Sequence, residues 1–362
     1  MLMKPKSKRT IRIVVTSVVF AFFFAGIVGV WFYVRLPNGR AEITGATIDN
    51  DYNNLLSGGN LVRIGDRIYF NYVRNEASYG LMEISESGSK RIYWEGKKSG
   101  PHRLSHRIRQ HNDQLVMAFN DKIQYYSAEA NSFKDYEPLN AVPNVTIFYQ
   151  MIGQNLLYRQ ATDPKDLEVV LDGNLKLYSR NKQEIIAGPN IGAFYTVGNE
   201  IYYYNTESYV SGEFRKYNLI DQTDVSVCKL DGYYNMFYFI IEDNYLIFSA
   251  SNQNTAGSPH SVYKVNLNSS PKRIETVCIG NPKVSNYCAD IHSFNVYNGT
   301  IYISSHSGLT TYDVKTNENN RLCSKYTEEC YIVDDVWVYF VDQESKLWRV
   351  AQDGSGLEKV FG

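Results

Sequence analysis

Residues 295–304 read NVYNGTIYIS, and residues 331–340 read YIVDDVWVYF. Each is a short run of aromatic and β-branched residues, a polar two-residue turn, and a second such run. Alternation of this kind fits half-buried strands. Asn-Gly suits a tight hairpin because both residues tolerate positive φ. The same unit returns as RIGDRIYFNY (63–72), QHNDQLVMAF (110–119), MIGQNLLYR (151–159), TVGNEIYYYN (196–205) and IIEDNYLIFS (240–249). A second pair of strands follows several of these hairpins. The clearest are GLMEISESGSKRIYW (80–94), FRKYNLIDQTDVSV (214–227), SVYKVNLNSSPKRIE (261–275) and KLWRVAQDGSGLEKVF (346–361). Four strands per unit, recurring about every 36–55 residues, is the spacing of propeller blades. A lone blade leaves both faces bare, whereas a closed ring buries them against neighbours. The reading is therefore an all-β, seven-bladed β-propeller over residues 59–362. Counts of six or eight would also fit, because the second and third copies are degenerate.

Composition agrees with sheet structure. The 362 residues include 30 Tyr but only 4 Trp, and aromatics make up 14%. Tyr serves a half-buried sheet with an apolar ring and a hydroxyl that reaches water. Net charge is -1, which gives no basic excess for bulk nucleic-acid binding.

Ahead of the repeats, Ile13 to Val34 reads IVVTSVVFAFFFAGIVGVWFYV without a charge. At about 1.5 Å per residue it is long enough to cross a bilayer core of roughly 30 Å. Lys4, Lys6, Lys8, Arg9 and Arg12 precede it, so residues 1–12 should stay in the cytoplasm and the rest should lie outside. The competing reading is a cleaved signal peptide. The apolar run exceeds the usual signal core of about 7–15 residues, and WFYVRLP is a poor cleavage site, which favours an uncleaved single-pass anchor. Residues 35–58 then form a juxtamembrane linker.

Two stretches carry a family resemblance. VWVYFVDQESKLWRVAQDGSGLEKVF (336–361) resembles the repeat of the bacterial "domain of unknown function 5050" group, and NNLLSGGNLVRIGDRIYF (53–70) is similar to the start of that domain. The group is propeller-like, akin to the YWTD propellers of lipoprotein receptors, although the YWTD tetrapeptide is absent here. The resemblance implies a propeller at a cell surface. It brings no catalytic residues.

Candidate sites are sparse. Cys278 and Cys323 each end a fourth strand in the repeat register, and Cys288 and Cys330 each open the next blade. In an extracytoplasmic compartment this suggests Cys278–Cys288 and Cys323–Cys330 disulfides, leaving Cys228 as a buried thiol; the alternative is that all five are reduced packing residues. Residues 97–111, KKSGPHRLSHRIRQH, hold five basic residues and three histidines with no acid. Strand alternation would put Arg103, Arg107 and Arg109 on one face, with His106 close by, at a mouth of the channel. Guanidinium groups there suit an anionic ligand such as a wall polymer or phospholipid head group. The alternative is a solvated basic connection. His102 and His106 lack an acidic or Cys partner nearby, and 49–54 departs from a calcium loop at the required Gly and Glu, so no metal and no cofactor is expected. No HExxH, GxSxG, P-loop or CxxC motif occurs. The sequence reads as a binding or scaffolding module whose partner is a cell-wall polymer or an envelope protein. The alternative is a glycosidase or lyase acting in the channel, which leaves enzyme activity open.

Overall fold

A computed structural model describes residues 59–75, 78–85, 88–97, 108–111, 113–119, 122–127, 130–135, 149–152, 155–161, 173–179, 182–208, 211–234, 236, 239–252, 260–278 and 291–362. The expected membrane span at 13–34 and the linker at 35–58 lie outside these residues. Among the described residues there is no helix long and apolar enough to cross a membrane.

The described strands form seven antiparallel sheets arranged as a propeller. Blade 1 holds β1 (Leu61–Ile64), β2 (Arg67–Asn75), β3 (Ser78–Ser85) and β4 (Gly88–Lys97). Blade 2 holds β5 (Ile108–His111), β6 (Gln114–Phe119), β7 (Lys122–Ser127) and β8 (Ser132–Asp135). Blade 3 holds β9 (Tyr149–Ile152), β10 (Asn155–Ala161), β11 (Gly173–Ser179) and β12 (Lys182–Ala187). Blade 4 holds β13 (Ile191–Val197), β14 (Glu200–Ser208), β15 (Ser211–Asn218) and β16 (Asp224–Asp231). In blade 5 a short β17 (Tyr233–Tyr234) joins β18 (Phe239–Glu242), β19 (Tyr245–Asn252), β20 (Ser261–Asn266) and β21 (Ile274–Cys278). Blade 6 holds β22 (Ile291–Tyr297), β23 (Thr300–Ser305), β24 (Gly308–Asp313) and β25 (Asn319–Cys323). Blade 7 holds β26 (Glu329–Ile332), β27 (Trp337–Val341), β28 (Leu347–Ala351) and β29 (Glu358–Phe361).

All seven hairpins read from the sequence are the first two strands of a blade. Their turns use the expected chemistry: Asp243 and Asn244 have φ of 49 and 63°, and Asn298 and Gly299 have 48 and 73°. Positive φ at both central residues is what a two-residue hairpin of the I′ type requires. In such up-and-down sheets alternate connections leave opposite ends. First-to-second and third-to-fourth turns therefore share one face of the ring, here the turn face. Second-to-third loops and blade-to-blade connections share the other, the connection face.

Side chains of a blade strand alternate between the two neighbouring blades. Cys330 and Ile332 pack with Tyr302, Leu309 and Leu322 of blade 6. Tyr331, between them in sequence, packs with Leu61, Phe70 and Tyr72 of blade 1. Val62, Tyr69 and Leu81 meet Ile108, Leu115 and Met117 across blades 1 and 2. Tyr is prominent in these layers, and its hydroxyls reach polar partners at the sheet margins: Tyr202 donates to Glu200 Oε2 at 2.9 Å and Tyr203 to Asp224 Oδ2 at 2.7 Å. Polar links repeat at the turn face. The Gly299 amide donates to Glu242 Oε1 at 2.7 Å, Tyr297 donates to Asp335, and Arg63 pairs with Asp334 at 2.9 Å. Blades 5, 6, 7 and 1 are thus tied turn to turn.

Cys323 and Cys330 are not bonded to each other. The expected Cys278–Cys288 pair involves Cys288, which lies outside the described residues. The reason for the Cys323–Cys330 difference is radial. A blade-to-blade connection runs from the rim strand to the hub strand; β25 packs against β28, while β26 packs against β23. Two strand spacings amount to about 10 Å, beyond the roughly 7 Å that Cα atoms of a disulfide allow. Cys330 Sγ instead lies 3.7 Å from the Tyr302 carbonyl oxygen.

A glycine device recurs in blades 1 and 4. A Cβ at Gly80 would stand 2.6 Å from the Tyr72 hydroxyl, and one at Gly212 would collide with Tyr204 and the Asn205 carbonyl. The tyrosine ring covers the bare backbone of the adjacent strand. Gly212→Ala is expected to destabilise the protein by about 1–3 kcal/mol through overpacking, read as a lowered thermal midpoint; an unchanged midpoint would contradict the close packing.

Candidate functional site at the connection face of blades 6 and 7

The anionic site expected from the sequence is not assembled by the described residues. Arg103, His106 and Arg107 lie outside them. Arg109 is 0% exposed on β5 and stands opposite in the alternation to Ile108, which packs on blade 1. Its side chain is buried, on the strand face opposite Ile108. Strand alternation in a propeller separates one neighbour from the other, not channel from exterior. Arg159 is buried in the same manner and donates to the Gly192 carbonyl of blade 4 at 3.1 Å.

Carboxylates on the described innermost strands are Glu242 and Glu329. Glu242 closes β18 at the turn face, where burial pushes its carboxyl above the usual range. Glu329 opens β26 at the connection face and accepts from Asn60 Nδ2 at 2.9 Å and from the Tyr331 hydroxyl. Standing at opposite ends of the ring wall, they do not form a facing acid–base pair.

A group of chemically versatile side chains lies elsewhere in the described structure. His292 starts the hub strand of blade 6, His306 follows the end of β23, and Tyr326 sits on the connection to blade 7. The Tyr326 ring centroid is 5.0 Å from that of His292 and 5.1 Å from that of His306, and the two imidazoles are 6.4 Å apart. His292 is the inserted residue of a β-bulge between the ladder positions Ile291↔Ser305 and Ser293↔Ser304. Bulges re-aim a side chain locally. His306 is exposed, and His292 is half-buried.

The neighbouring residue turns the other way. Lys325 Nζ stands 4.2 Å from the Trp348 ring centroid and 3.4 Å from Asp342 Oδ2. Asp342, 5% exposed, also accepts from the Trp348 indole at 2.8 Å and from the Glu344 and Lys346 amides at 2.9 and 3.0 Å. Burial alone would push this carboxyl up, but the Lys346 amide, the Trp348 indole, the Glu344 amide and Lys325 together hold it below the usual aspartate range. The Lys325 charge is thereby directed to blade 7, away from the imidazoles. Among the described residues no three His, Cys, Asp or Glu side chains are grouped as metal ligands.

Sequence reasoning gave no role to His292 and His306, yet a signal was present. They lie at nearly equal distances on either side of the Asn298-Gly299 turn, and a hairpin brings such positions across from one another.

No protein-family model and no curated protein matches this sequence. Solved structures match by fold. A puromycin hydrolase superposes with a TM-score of 0.57 at 8% identity, over 90% of this chain and 55% of its own. Hydrazine synthase of Kuenenia stuttgartiensis gives 0.56 at 8%, over 85% and 98%. The extracellular domain of a putative hybrid two-component system from B. thetaiotaomicron gives 0.53 at 14%, over 83% and 41%. The chain spans about half the length of the puromycin hydrolase. At these identities the likeness is one of fold.

Asp342→Asn removes the charge that holds Lys325 and weakens an acceptor of several hydrogen bonds. A loss of about 1.5–3 kcal/mol is expected near neutral pH. Because the folded-state pKa is depressed, the wild-type advantage is present above the unfolded value of about 3.9 and fades as pH falls through the folded value. Urea unfolding of both proteins between pH 7 and pH 3 checks this; a gap that widens in acid would contradict it.

Proposed function

We propose that this protein is a membrane-anchored β-propeller that binds or scaffolds on the outer side of a cell membrane. The observation that carries the reading is one chain holding both a charge-free apolar segment at 13–34, behind five basic residues, and a seven-bladed ring. The basic flank favours a cytoplasmic N-terminus and an extracytoplasmic ring.

Topology adds an orientation. Gly59 leads into β1, the hub strand of blade 1, so the chain enters the ring at the connection face. The described blade-to-blade connections at 188–190 and 324–328 belong to that face too. Loops held by a rigid scaffold are the usual carriers of recognition. The partner class that fits is a cell-wall polymer or another envelope protein, met on the face that also receives the tether. The alternative of a glycosidase needs two carboxyl groups about 5–10 Å apart, and the positions of Glu242 and Glu329 do not favour it.

In cells expressing the full chain, the protein is expected to stay in the membrane pellet through alkaline carbonate washing and to need detergent for release. A C-terminal tag should be cleaved by protease added outside spheroplasts. Release by carbonate, or a tag protected until the cells are lysed, would contradict the anchored topology.

A further inference from the structure

The geometry points to a divalent transition-metal site at the connection face of blade 6, held by His292 and His306 with the Tyr326 ring beside them. Imidazole nitrogens are good ligands for Zn²⁺, Cu²⁺ and Ni²⁺. A metal–nitrogen bond of about 2.0–2.1 Å places the ion roughly 3 Å from each ring centre, so two imidazoles sharing an ion have centroids about 5–6 Å apart. The observed 6.4 Å is slightly wider. His306 is exposed, and a turn of its side chain is what the site would need to close the difference.

Three features set this group apart from a packed aromatic cluster. His306 is exposed, so its ring is not there to fill a core. His292 is the bulged residue of its strand, which turns its ring away from the regular alternation. Lys325, next to Tyr326 in sequence, is held by Asp342 and Trp348, so its charge is directed away from a metal ion at the imidazoles. Two protein nitrogens leave coordination positions open to water or to a donor group from a bound partner. Such an open site would let a metal bridge the propeller and an oxygen- or nitrogen-bearing ligand, which deepens the binding role proposed above. The site does not depend on the membrane topology and stands or falls separately from it.

The probe is Cu²⁺ alone, titrated into the detergent-solubilised full chain near pH 7.5 and followed by calorimetry and electron paramagnetic resonance. One ion per chain is expected, with hyperfine structure from two imidazole nitrogens. His306→Ala should weaken binding at least tenfold and reduce the signal to one nitrogen, while its thermal midpoint without metal stays that of the wild type. His102→Ala and His106→Ala should leave binding unchanged. Zn²⁺ should compete with Cu²⁺ for the wild type and not for His306→Ala. Absence of stoichiometric binding would overturn the site, as would binding that survives His306→Ala or disappears with His102→Ala or His106→Ala. Lowering pH through the histidine range should release the ion, because protonated imidazole is no ligand; retention at pH 5 would also count against the two histidines.

Discussion

The ring of Tyr72 in blade 1 meets that of Phe361 in blade 7 edge-on, with centroids 5.0 Å apart, and the rest of the propeller depends on that seam. Each blade takes its four principal strands consecutively from the chain, so no strand of the last blade completes the first. Closure therefore rests on side chains. Leu61, Phe70 and Tyr72 pack with Tyr331, Tyr339 and Leu347, while Asn60–Glu329 and Arg63–Asp334 add polar contacts at the two ends. The Arg63–Asp334 pair is partly exposed and contributes little alone. Burial of the aromatic and aliphatic faces stabilises the seam more, as it does between blades 1 and 2 and between blades 6 and 7.

Closure also places the candidate site. Blade 7 packs on blade 1 through Tyr331 and on blade 6 through Cys330 and Ile332, so one short strand serves two interfaces. The connection that leads into it carries Lys325 and Tyr326 in succession. Lys325 is fixed by Asp342 and Trp348 on blade 7, and this leaves Tyr326 against the histidines of blade 6. The arrangement at the site is thus a consequence of how blades 6 and 7 are docked.

Much of the fold was legible because propeller turns are chemically explicit. Asp243-Asn244 and Asn298-Gly299 declare hairpins through residues that tolerate positive φ, and the seven hairpins space out the blades. What sequence obscured was the third dimension of the repeat. Alternation groups Arg109 with Arg103 and Arg107 at a channel mouth, whereas in a stacked ring both faces of a hub strand are interior, and Arg109 is buried. Cys323 and Cys330 looked close because they flank one connection, but that connection crosses from rim to hub. His292 and His306 lie on opposite arms of a hairpin, and their proximity depends on pairing register plus a bulge that no local pattern announces.

Hydrogen exchange of the Phe361→Ala protein, resolved blade by blade, tests closure by packing most directly. Truncating a half-buried Phe should remove about 2–3 kcal/mol. The account predicts that amides of β1–β3 and β26–β28 lose protection first and together, while blades 4 and 5 stay protected. Uniform loss around the ring, or none at the blade 1–blade 7 boundary, would contradict it.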